Sequence, residues 1–122
     1  MPVKTFEARV RHMQENAIID LKGDINSLAI DTFNNVFAEA SGPNTKAVLL
    51  NFNEVEYINS TGIALIVGLM SKARQANQSL ATYGLSDHYV SIFNITRLSD
   101  YISLFPDENS ALDGVRHITP NK

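Results

Sequence analysis

The sequence predicts an α/β fold: a mixed sheet of four to five strands flanked by about four helices, in one domain spanning residues 1–122. Three observations predict it. Two strand-like runs open the chain back to back, which implies a hairpin. Strand-length apolar runs then alternate with amphipathic stretches of helical spacing, which implies parallel crossovers with helices packed on the sheet. Finally, 44% of the 122 residues are hydrophobic and they are spread along the whole length, enough for one core of ordinary domain size. No linker, internal repeat or low-complexity segment interrupts the pattern.

The first run alternates, with Phe6, Ala8, Val10 and His12 on one side and Glu7, Arg9 and Arg11 on the other, as in a half-solvated strand. Gln14-Glu15-Asn16 turns the chain into a second strand over residues 17–21, which Gly23 is expected to close. Asn26-Ser27 is a capping pair, and Leu28, Ile30, Phe33, Val36 and Phe37 follow at the spacing of one helix face. Ser41-Gly42-Pro43-Asn44 ends that helix. Residues 47–52 form a nearly continuous apolar run, as expected of a central strand covered on both sides. A loop over residues 53–59 leads to Ser60-Thr61-Gly62 and a second helix, polar only after Met70. Residues 80–84 read as a strand, Asp87 as the cap of a helix carrying Val90, Ile92 and Phe93, and residues 101–105 as an edge strand stopped by Pro106. A last helix starts near Asp107-Glu108 and holds Ala111, Leu112 and Val115.

Charge and composition exclude several functions. Thirteen acidic and ten basic side chains leave a net charge of −3, the wrong sign for a nucleic-acid or anionic-membrane binder. The absence of cysteine removes disulfides, thiolate metal sites and cysteine nucleophiles. Met1-Pro2-Val3-Lys4 has no apolar leader core, and the apolar run from Ile63 to Met70 falls far short of the ~20 residues that span a bilayer, so a cytoplasmic protein is expected.

Catalytic chemistry is thinly represented. His12, His88 and His117 are scattered without metal-ligand spacing, and the phosphate-binding, dinucleotide-binding and serine-hydrolase motifs are all missing. Glu54 and Glu56 read as solvated charges in a surface loop. No metal or cofactor is called for.

The informative stretch is residues 57–70. Ser60 and Thr61 stand where a strand hands over to a helix, so a helix cap and a modifiable hydroxyl both fit. A phosphoryl group on Ser60 would meet the free N–H groups and positive end of the helix. Gly62 is expected to leave room beside the hydroxyl for another protein. Stepping back from Gln78, Arg74-Gln75 and Ser71, the solvent stripe passes through Val67-Gly68 and Ala64 to Ser60, with Leu65, Ile66, Leu69 and Ala73 toward the sheet and Ile63 and Met70 on the flanks. Such a helix start is either buried all round or offers an apolar patch to a partner. No basic residue lies between Lys46 and Lys72, so nothing nearby in sequence would neutralise a phosphate. At an effective dielectric near 20 and about 6 Å, one like-charge pair costs roughly 3 kcal/mol before salt screening. That suffices to release a partner.

These residues resemble the STAS domain of bacterial anti-sigma factor antagonists. The resemblance rests on Leu21-Lys22-Gly23-Asp24-Ile25-Asn26; on Val48-Leu49-Leu50-Asn51-Phe52 leading to Tyr57-Ile58-Asn59-Ser60-Thr61-Gly62-Ile63; and on residues 90–98 with Tyr101-Ile102 and Leu104-Phe105, in that order. It implies a STAS-like fold and a non-catalytic antagonist that binds an anti-sigma factor serine kinase when unmodified. Phosphorylation of the serine then breaks the complex, and a PP2C-type phosphatase restores it. By position the acceptor is Ser60. The implied partner surface takes in Asp24, in a strand-helix loop, with Asn26, Asn59, Thr61, Gly62, Ile63, Ala64 and Val67. Where the family often carries Asp before the acceptor and in the early loop, this chain has Asn59 and Asn26. Losing those carboxylates either eases repulsion of a phosphoserine or removes groups a kinase recognises.

Two other readings stand beside the antagonist. One is a scaffold or ligand-sensing STAS module of a larger assembly, with a homo-oligomer left open. The other is an enzyme using Ser60 as nucleophile, for which the sequence shows no neighbouring base.

Overall fold

The computed structural model describes residues 5–116. Residues 1–4 and His117 lie outside the described residues. Five strands, β1 (Glu7–Met13), β2 (Asn16–Ile25), β3 (Ala47–Ile58), β4 (Ser79–Tyr83) and β5 (Ser103–Phe105), form one sheet in the order β1-β2-β3-β4-β5. β1 pairs antiparallel with β2 through a tight turn in which Gln14 has φ 57°; every other pairing is parallel. The mixed sheet with a central β3 and an edge β5 is as predicted.

The helices are α1 (Ile30–Ala40), α2 (Ser60–Gln75), α3 (Asp87–Ile95) and α4 (Glu108–Val115). Each crossover from β2 to β5 steps to the next strand in the same direction, so connections of the usual right hand place α1, α2 and α3 on one face. That face is the main core. Ala17, Ile19 and Leu21 of β2, Val48, Leu50 and Phe52 of β3, and Leu80 of β4 meet Phe33, Val36 and Phe37 of α1, Ile66, Leu69 and Ala73 of α2, and Tyr89 and Phe93 of α3. The opposite side of the strands, with Ile18, Leu49, Ala81 and Tyr83, packs on Ala111 and Val115 of α4.

Several boundaries differ from the sequence reading. Gly23 does not close the second strand: it sits at a register shift with φ 92°, and β2 continues to Ile25. β3 likewise runs through the expected loop to Ile58, so Glu54 and Glu56 are strand residues, and Asp24 is paired opposite Tyr57 rather than placed in a loop. Asn26 caps a 3-10 turn (Ser27–Ala29) that precedes α1. This turn shifts the helical phase, leaving Leu28 82% and Ile30 38% exposed instead of in the core. Ser86, not Asp87, caps α3. His12 is exposed at the end of β1, and Gln78 is buried beyond α2, its amide held by Ser41 and the Thr45 carbonyl.

Arg11 was expected on the solvated side of β1, yet it anchors a polar ladder under α4. Asp20, Asn51 and Tyr83 are register partners across β2, β3 and β4. Arg11 pairs with Asp20 at 2.6 Å and donates to Glu108 at 2.7 Å; Tyr83 donates to the same Glu108 oxygen at 2.6 Å, and Asn51 to Asp20 at 2.7 Å. Burial pushes the Asp20 carboxyl up, but hydrogen bonds from Arg11 and Asn51 outweigh it and hold the group below its ordinary value. Hydrogen bonds from Arg11 and Tyr83 lower Glu108 in the same way. Burial, and then the Glu108 carboxylate that accepts its proton, raise the Tyr83 hydroxyl.

Carboxylates with depressed folded pKa values contribute stability that is complete above the ordinary carboxylate range and disappears as pH falls through the folded values. Urea midpoints should therefore drop from neutral pH toward about pH 3. An Asp20→Asn/Glu108→Gln variant should be less stable at neutral pH and show a flatter decline; an unchanged acid slope would locate the sensitivity elsewhere. Thr82 offers a second test, because its fully buried hydroxyl has no hydrogen-bond partner among the described residues. Thr82→Val should raise stability by about 1 kcal/mol in urea unfolding.

Candidate functional site

The site forms at the carboxyl ends of β2 and β3. Their last registered pair is Ile25 with Ile58, and one residue on, the Asn59 N–H donates to the Ile25 carbonyl at 3.2 Å. This places Asp24 and Asn26 on one strand end beside Asn59 and Ser60 on the next. The Tyr89 hydroxyl fixes the handover from below, accepting from the Ile58 N–H at 2.7 Å and donating to its carbonyl at 3.4 Å.

Asn59, not Ser60, caps α2. It is the first residue out of the strand, its backbone is extended (φ −89°, ψ −176°), and its Oδ1 accepts the Gly62 N–H at 2.9 Å. Asn26 does the same for the 3-10 turn, its Oδ1 accepting the Leu28 N–H at 2.9 Å. Ser60 is thereby left as the first residue of the 16-residue helix, exposed, with its hydroxyl bonded to no other described residue.

Gly62 serves a different purpose from the one expected. It is buried, and a Cβ there would lie 2.4 Å from the Ile25 carbonyl oxygen and 2.8 Å from the Ile58 Cγ2. The missing side chain makes room for the protein's own β2, not for a partner. Thr61 and Ile63 are half-buried, while Ala64 and Val67 are exposed on the outer face of α2, continuing the stripe read from the sequence through Gly68 and Ser71.

Sequence reasoning missed the apolar surface contributed by other segments. Leu28, 82% exposed, sits on the 3-10 turn that packs against α2, and Tyr57, 55% exposed, is the register partner of Asp24. Both are large side chains left exposed where β2 and β3 end. Asn59 was signalled by its residue type but competed with two following hydroxyl residues. Nothing local signalled Tyr89.

No described group of three His, Cys, Asp or Glu side chains is spaced to hold a metal ion. His12 and His88, on β1 and α3, are both exposed, and neither bonds to Ser60. Among the described residues no helix is long and apolar enough to cross a membrane.

The profile of the family described as STAS domain matches residues 7–111. The anti-sigma-B factor antagonist of Listeria monocytogenes is 40% identical over 55 residues, covering 45% of this chain; the chain spans about half that protein's length, 48%. Among solved structures, the anti-sigma factor antagonist SpoIIAA in its unphosphorylated form superposes with a TM-score of 0.71 at 18% identity, covering 93% of this chain and 100% of that one. The phosphorylated form of SpoIIAA, a Bacillus cell fate determinant, gives a TM-score of 0.69 at 19% identity, covering 92% and 100%.

Alanine at two glycines of α2 tests the geometry. In an open helix Gly→Ala gains about 1 kcal/mol, which is the expectation for Gly68, where an added Cβ meets nothing within 4 Å. At Gly62 the backbone contact should reverse the sign, costing about 1–3 kcal/mol in chemical denaturation. Equal effects at both positions would contradict the close approach of α2 to β2.

Proposed function

Because the chain belongs to the STAS domain family, we propose that it is an anti-sigma factor antagonist: a non-catalytic cytoplasmic binding protein whose docking on an anti-sigma factor serine kinase is switched by phosphorylation of Ser60. In this reading the unmodified protein sequesters the kinase and frees a sigma factor for transcription, phosphorylation releases the kinase, and a PP2C-type phosphatase resets the cycle. Residues 1–122 act as one binding domain. The observation that carries the proposal is the exposed Ser60 hydroxyl at the first position of α2, bonded to no other described residue. The existence of a phosphorylated form of SpoIIAA, and the names of the curated relatives, support it.

The partner surface in this proposal includes Asp24, Asn26, Asn59, Thr61, Ile63, Ala64 and Val67, enlarged by Leu28 and Tyr57. Gly62 contributes by letting α2 approach β2. A phosphoryl dianion on Ser60 would stand beside the free N–H groups of the first turn without displacing the cap, since that task falls to Asn59. Its effect would then fall on the partner, by repulsion from acidic groups and by hydration of an otherwise apolar surface.

A second reading, a scaffold or ligand-sensing module without phospho-switching, is favoured by one observation. Both residues flanking the acceptor on the strand ends, Asn26 and Asn59, are uncharged amides whose oxygens are occupied by caps.

Incubation with the cognate kinase and ATP, followed by mass spectrometric mapping, should place phosphate on Ser60. Phosphate exclusively elsewhere, or none, would favour the scaffold reading. In calorimetric titrations Ser60→Asp should weaken kinase binding by at least about tenfold, corresponding to about 1.4 kcal/mol. Ser60→Ala should bind as the unmodified protein does.

A further inference from the structure

A separate cavity, of about 340 Å³, opens between the last turns of α2 and the segment that leads into β5. Met70 of α2 and Leu80 of β4 supply apolar wall, and Arg74, Ser79, Tyr101 and Ser103 supply the polar lining. Its volume lies at the small end of the ~300–1,000 Å³ typical of small-molecule sites.

Three features give this cavity a chemical preference. The Arg74 guanidinium lies over the Tyr101 ring, 5.8 Å from its centroid, and forms no ion pair with a described carboxylate. Tyr101 is itself 59% exposed, so one edge of the cavity is an open aromatic surface. Asp100, also in the lining, is engaged by Arg97 at 2.8 Å, so the Arg74 guanidinium has no counter-ion among the described residues.

We propose that this cavity binds a small organic carboxylate with an apolar body, its carboxylate on Arg74 and its body against Met70, Leu80 and the Tyr101 ring. A guanidinium already oriented by an aromatic ring suits a planar carboxylate, which it engages with two parallel hydrogen bonds. The adjoining apolar wall has no complement in an inorganic anion. The proposal is independent of the phosphorylation of Ser60, and the two stand or fall separately.

Amide chemical shifts of the full chain titrated with sodium benzoate provide the test, with benzamide and sodium phosphate as parallel probes. Benzoate should give saturable shifts concentrated at Arg74, Ser79, Tyr101 and Ser103. Benzamide, lacking the charge, should bind about tenfold more weakly, and Arg74→Gln should weaken benzoate by a similar factor, the loss expected for one charge-assisted contact. Arg74 is exposed, and the dispersion of the same spectra reports whether the variant is folded. Unsaturable or scattered shifts, equal binding of benzamide, or an unaffected Arg74→Gln variant would overturn the site. Phosphate binding as tightly as benzoate would overturn the apolar component.

Discussion

The closeness of α2 to the end of β2 is the constraint on which the site depends. With glycine at position 62 the first turn of the helix lies directly against the Ile25 carbonyl, and the Asn59 N–H bonds to that same carbonyl oxygen. Two strand ends and one helix start are thus joined through a single backbone group. Any larger residue at position 62 would force α2 outward and take Ser60 with it, so the position of an exposed side chain is set by a buried absence of one.

The two faces of the sheet divide the remaining work. One-directional crossovers gather three helices on one side, where packing is almost wholly apolar and supplies the bulk of the hydrophobic stabilisation. On the other side α4 covers a strip of the sheet crossed by Arg11, Asp20, Asn51 and Tyr83, and Glu108 reaches down from its first turn to join them. These groups are hydrogen-bonded to one another, as partly buried charges must be if they are not to destabilise the fold. Their mutual geometry fixes where α4 sits more narrowly than the few apolar contacts of Ala111 and Val115 would.

What the sequence disclosed and what it concealed follow from the range of the forces involved. The buried faces of α1 and α2 and the outer stripe from Ser60 through Val67 to Ser71 were legible, because helical periodicity is local and each face is uniform in kind. The extension of β3 to Ile58 was not: Asn53, Glu54, Glu56 and Tyr57 are exposed and only Val55 and Ile58 turn inward, too broken a pattern to read as a strand without its pairing to the end of β2 beyond Gly23. Leu28 misled because a 3-10 turn advances three residues per turn, not 3.6, so that Ala29 enters the core while Leu28 and Ile30 turn outward. Arg11, Gln78 and Tyr89 owe their roles to partners remote in sequence, on α4, beside α1 and on β3 respectively. No pattern within a short window encodes such pairings.

At the handover into α2, capping and exposure fall to neighbouring residues. Had Ser60 been the cap, its oxygen would be committed to a backbone N–H, and esterifying it would disturb the first turn. Asn59 accepts that N–H instead, and an amide does so without bringing a negative charge next to the serine. Chemistry at Ser60 is therefore uncoupled from the helix start: a charge added there would alter what the surface attracts or repels and leave the cap, the Ile25 contact and the Tyr89 anchor in place. In the proposed switch, then, the free-energy difference between the two states would reside in the interface with the partner, with little contribution from refolding of this chain.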